Sequence, residues 1–68
     1  MDEEDLNKTD VIKLVVQLCT RIGMMMEDVS PIALDASREG LEERVAYLRG
    51  AIRVMAKIAD AADAMLKS

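Results

Sequence analysis

Apolar residues recur early in the chain at alternating spacings of four and three: Val11, Val15, Leu18, Ile22, Met25 and Val29. This is the spacing at which side chains line one side of a helix and pack against a neighbouring helix. It predicts a helix over residues 5–27, with Asn7 or Thr9 as an internal cap if it starts late and acidic residues suiting its first turn. Leu41, Val45, Leu48, Ile52, Met55, Ala59, Ala62 and Leu66 repeat the pattern without a miss. They predict a second helix over residues 37–67, whose start Gly40 leaves open. Ser30 followed by Pro31 has the form of a cap and a first helical position, so a break and a short helical turn over residues 31–37 are expected. Strand alternation is missing over any useful length, and Tyr47 is the single aromatic residue. The reading is all-α: an antiparallel helical hairpin of two long helices, roughly 35 Å and 45 Å in length.

The first helix carries more apolar surface than one neighbour can cover. Beside its seam, Ile12, Val16, Cys19, Gly23 and Met26 form a second stripe, and Leu14 and Met24 add to it. Asp10, Lys13, Gln17, Thr20 and Glu27 are left as a narrow strip for water. Because large exposed apolar patches mark interaction sites, Ile12, Val16, Cys19, Met24 and Met26 are the candidate partner-binding residues. The occupant is either a second copy, giving a homodimer built as a four-helix bundle, or a different protein. Met25 and Met55 read as core filler, while Met24 and Met26 are divided between core and partner. Cys19 reads as a buried, unreactive thiol, since nothing nearby would lower its pKa.

The second helix is rich in small residues beside its seam, including Ala46, Gly50, Ala51, Ala56 and Ala64. Arg49, Arg53 and Lys57 form a basic stripe flanked by Glu42, Glu43, Asp60 and Asp63. A solvated face with local ion pairs is the expectation, with docking of an acidic partner segment as the alternative.

Length sharpens the case for association. At 68 residues the chain reads as one domain, and a domain this short buries only about 60% of the surface its unfolded chain exposes. Small folds of this kind usually gain disulfides, a metal or a partner. One cysteine excludes an internal bridge, and the lack of histidine argues against a structural zinc site. A partner chain remains.

Thirteen acidic and nine basic residues give a net charge of −4, which disfavours nucleic acid and anionic membranes as partners. The start Met1-Asp2-Glu3-Glu4-Asp5 is unlike a secretory signal, and the apolar stretch from Val11 to Met26 is short and interrupted by charge. These features predict a cytoplasmic protein with a reduced thiol. Catalysis is disfavoured by the absence of histidine, of a Gly-rich phosphate loop, of a nucleophile with a base and of metal-ligand spacing. The acidic start lacks the pattern of a calcium loop and reads as a frayed terminus. No cofactor is expected. What remains is a non-enzymatic binding protein: a regulator of another protein, a small chaperone or adaptor for a secreted or assembled protein, or a structural bundle subunit.

The stretch Asp28-Val29-Ser30-Pro31-Ile32-Ala33-Leu34-Asp35-Ala36-Ser37-Arg38 resembles the central segment of TraM-type quorum-sensing antiactivators, small proteins of conjugative plasmids and related mobile elements. The shared features are Asp28, an aliphatic residue at 29, Ile32, an aliphatic residue at 34, Asp35, Ala36 and Arg38. The acidic start, apolar first helix and long second helix follow the same plan. The resemblance implies two long antiparallel helices that dimerise, and a protein that binds a LuxR-type transcriptional activator and stops it acting on DNA. It implies no particular binding residue.

Overall fold

The four-three periodicity does produce two helices. The structure, a computed structural model, describes the backbone of residues 3–68 and the side chains from Lys8 onward. Helix α1 spans Glu3–Ala33 and helix α2 spans Leu41–Lys67, with no strand among the described residues. The two pack side by side as a helical hairpin. No helix among the described residues is long and apolar enough to cross a membrane.

The boundaries differ from expectation at three places. First, α1 begins at Glu3, so Asn7 and Thr9 lie within it and do not cap it. Of the acidic start expected to fray, Met1 and Asp2 lie outside the described residues, and Glu3 to Asp5 are helical.

Second, α1 runs through Pro31 to Ala33, where a break at Ser30 is expected. Proline here removes one amide donor, but only two further residues continue the helix beyond it. The end is closed by amides further on: Leu34 donates to the Ser30 carbonyl at 2.9 Å and Asp35 to the Ile32 carbonyl at 3.4 Å.

Third, α2 starts at Leu41 and not near residue 37. Gly40 precedes it at φ 65 and ψ 29, the left-handed region where a Cβ is penalised. Consequently α1, at 31 residues, is longer than α2, at 27, reversing the expected order.

Residues 34–40 form the connection, and local polar groups shape it. Asp35 Oδ1 accepts from the Ser37 amide at 2.9 Å, and Ser37 Oγ accepts from the Glu39 amide at 3.2 Å, side chain to backbone turns that replace a helical turn. Arg44, one turn into α2, reaches back across it. Its Nη1 donates to the Asp35 carbonyl at 3.0 Å and its Nη2 to the Glu39 carbonyl at 3.2 Å.

The contact between the helices confirms the α1 seam and corrects the α2 seam. On α1 the half-buried residues are Val11, Val15, Leu18, Ile22, Met25, Val29 and Ile32, as the spacing predicts with one turn added. On α2 they are Arg44, Leu48, Ala51, Met55, Ile58 and Met65, with Ala62 fully buried. Of the expected α2 seam only Leu48, Met55 and Ala62 face the partner helix. Leu41, Val45, Ile52, Ala59 and Leu66 are exposed.

The physical reason is that Leu48, Met55 and Ala62 are flanked by two apolar columns with the same period. One is Ala51, Ile58 and Met65, and the other is Val45, Ile52, Ala59 and Leu66. Arg44 belongs to the first column, and its bonds to the connecting segment turn that column inward.

The resulting hairpin is a thin rod. Its extents are 59 × 17 × 10 Å and its radius of gyration is 16.6 Å, against about 11 Å for a compact chain of this length. Among the described residues only Ala62, 7% exposed, is buried.

Candidate functional site

Among the described residues no group of three potential ligands could hold a metal, and a furrow of about 360 Å³ is lined by Leu41, Glu42, Val45, Ala46 and Arg49. All five belong to α2, so the furrow is an open stretch of helix surface. The candidate site is instead a face.

Ile12, Val16, Met24 and Met26 are exposed, as their assignment to partner binding requires. Cys19 is exposed as well, which corrects the expectation of a buried thiol. Met25 and Met55 are half-buried between the helices, in agreement with their reading as core filler. The α2 residues displaced from the seam add Val45, Ile52 and Leu66 to the exposed apolar surface.

These two exposed stripes form one surface. On a right-handed helix the residue after a seam position is rotated about 100° around the axis. Antiparallel helices run in opposite directions, so the same step carries both helices toward the same side of the hairpin. Ile12, Cys19 and Met26 follow the α1 seam residues Val11, Leu18 and Met25. Val45, Ile52, Ala59 and Leu66 follow the α2 seam residues Arg44, Ala51, Ile58 and Met65. They lie on a common face, which Val16 and Gly23 widen along the outer side of α1. Among the described residues these positions carry no charge, and Arg49 and Asp63, which follow the seam residues Leu48 and Ala62, border them on the outer side of α2.

The opposite face is mixed. Residues that precede the seam positions include Leu14, Met24, Tyr47 and Val54, all exposed, interleaved with Asp10, Arg21, Asp28, Glu43 and Lys57. Met24 therefore separates from the other four candidate residues. In comparisons with known proteins, no family model, no curated protein and no solved structure matches the chain.

The charged residues around the broad face are largely without partners inside the hairpin. Among the described residues the ion pairs are Arg44 with Asp35 at 3.7 Å and Lys67 with Asp63 at 2.9 Å. Arg49, Arg53 and Lys57 take part in neither, so the local ion pairing expected for this basic stripe does not form among the described residues.

The displacement of the α2 seam is what the sequence alone misses. Ala51, Ile58 and Met65 repeat with the same period as the larger column beside them, and that duplication is the signal of a second apolar stripe on α2.

Proposed function

We propose that this is a non-enzymatic regulatory protein that seats another protein chain against its exposed apolar helical surface, and that it is an antiactivator sequestering a LuxR-type or similar transcriptional activator. The observation that carries the binding role is apolar surface exposed on both faces of the hairpin, Ile12, Val16, Met26, Val45 and Ile52 on one and Leu14, Met24, Tyr47 and Val54 on the other, on a chain in which Ala62 is the only buried residue among those described. Exposed apolar surface on this scale is a liability unless another chain covers it. The acidic net charge of −4 disfavours direct contact with DNA, so a regulator of transcription with this charge acts on the DNA-binding protein. The kind of partner comes from the resemblance of residues 28–38 to TraM-type antiactivators.

Affinity capture from the native cell followed by mass spectrometry tests this reading, together with a reporter of the captured activator. The expected result is recovery of an activator whose reporter falls when this protein is overproduced and rises when it is deleted. Capture of no transcriptional regulator, with an unchanged reporter, overturns it.

A further inference from the structure

We propose that a second copy of this chain covers the broad apolar face, with a twofold axis crossing the hairpin near Thr20 and Ala56, so that α1 packs antiparallel on α1 and α2 on α2. The size of the face suits this occupant. From Val45 to Leu66 the face runs for about 32 Å along α2 and about 17 Å across the hairpin, the order of the ~600 Å² per partner at the low end of stable interfaces. It is uncharged along its centre, as the core of an interface between identical chains is.

The charges beside the face select the arrangement. When identical helices pair antiparallel about a twofold axis, two residues meet if they lie equally far on either side of it. On α2, Arg53 and Asp60 are centred on Ala56 to within one residue, and so are Arg49 and Asp63. On α1, Lys13 and Glu27 are centred on Thr20. Each pair joins opposite charges, and apart from Asp63 none of these groups has an ion-pair partner among the described residues of its own chain.

The register of the hairpin makes the two centres coincide. Pairing the buried and half-buried positions in reverse order, outward from Ile32 and Arg44 on either side of the connection, matches Val11 with Met65. That sets Thr20 level with Ala56 to within about one helical turn. One axis therefore satisfies the charge pattern of both helices, although each pattern is read separately.

Gly23 adds an observation the isolated hairpin leaves unexplained. Glycine is unfavourable in a helix interior, yet a Cβ at Gly23 would meet nothing within 4 Å. Gly23 and Cys19 lie beside the proposed axis on α1, as Ala56 and Ala59 do on α2. Small side chains there let the four helices approach, while Ile12, Met26, Val45 and Leu66 fill the space further out. The second copy leaves Leu14, Met24, Tyr47 and Val54 outside the interface.

Sedimentation or light scattering on the native chain, with chemical cross-linking, tests the arrangement. The expected species has twice the 7.5 kDa mass of the chain, and a short bis-maleimide joins Cys19 to Cys19 of the second copy. Ile52→Asp should give a monomer. If that variant also unfolds, the charge pairs supply the test: Arg53→Asp sets carboxylates against each other and should weaken the dimer on the order of tenfold. Adding Asp60→Arg should restore it.

A native monomer at micromolar concentration, a dimer indifferent to Ile52→Asp, no restoration by the double exchange, or a dimer that Cys19 does not cross-link would each overturn the proposal. These readouts need no regulator. The dimer and the antiactivator reading therefore fail separately.

Discussion

Arg44 and Asp35 close the hairpin: the guanidinium donates to the Asp35 carbonyl at 3.0 Å and its Nη2 lies 3.7 Å from the Asp35 carboxylate. The Arg44 side chain is 13% exposed and that of Asp35 54%, so water screens the carboxylate and the bonds to carbonyls carry most of the effect. Arg44→Ala removes both carbonyl contacts and the inward anchor of its column. It should cost about 1.5–3 kcal/mol, the range for hydrogen bonds made by a charged group. Lys67→Ala, which breaks the exposed pair with Asp63, should change stability by less than about 0.5 kcal/mol. Urea denaturation of both variants, followed by circular dichroism at one protein concentration, checks the contrast.

Gly40 holds the left-handed conformation that ends the connection and starts α2. A Cβ there would meet nothing within 4 Å, so the penalty for Gly40→Ala is one of backbone conformation alone. It should be about 1–2 kcal/mol. Gly40→Asn should lose less, because asparagine tolerates this region better. Equal losses for the two variants would contradict that assignment.

Leu48 and Ile52 both belong to the seam expected from spacing, and the structure separates them. Leu48 is half-buried between the helices, whereas Ile52 is 59% exposed. Leu48→Ala should cost about 2 kcal/mol, the low end for buried leucines, at every protein concentration. Ile52→Ala should cost less than about 0.5 kcal/mol in the dissociated hairpin. Its loss should grow with concentration as the proposed dimer forms. Thermal melts over a dilution series distinguish the two behaviours.

Pro31 interrupts the hydrogen-bond ladder near the end of α1 without ending the helix. Replacing it with alanine restores an amide donor and relieves the ring's clash with the preceding turn, which costs about 3 kcal/mol in a helix interior. The gain is reduced by about 0.4–1 kcal/mol from the freer unfolded chain. Pro31→Ala should therefore stabilise the hairpin, and a fall in its urea midpoint would place Pro31 outside the helix.

The α1 seam was legible from sequence because Val11, Val15, Leu18, Ile22, Met25 and Val29 owe their common side to helix geometry alone. Excess apolar surface at Ile12, Val16 and Met26 was legible for the same reason, since a helix cannot turn two separated stripes toward one neighbour. Periodicity could not choose between Ala51, Ile58 and Met65 and the equally spaced Val45, Ile52, Ala59 and Leu66. That choice depends on how the connection holds the helices, through Arg44 and the carbonyls of Asp35 and Glu39. The end of α1 was likewise beyond local rules: Ser30-Pro31 has the form of a helix start, yet the amides of Leu34 and Asp35 carry the helix past it. Sequence alone determined that the chain forms helices with more apolar surface than a hairpin can hide. Only the tertiary structure decided which surface stays uncovered, because that depends on the rotation of one helix about its axis against the other.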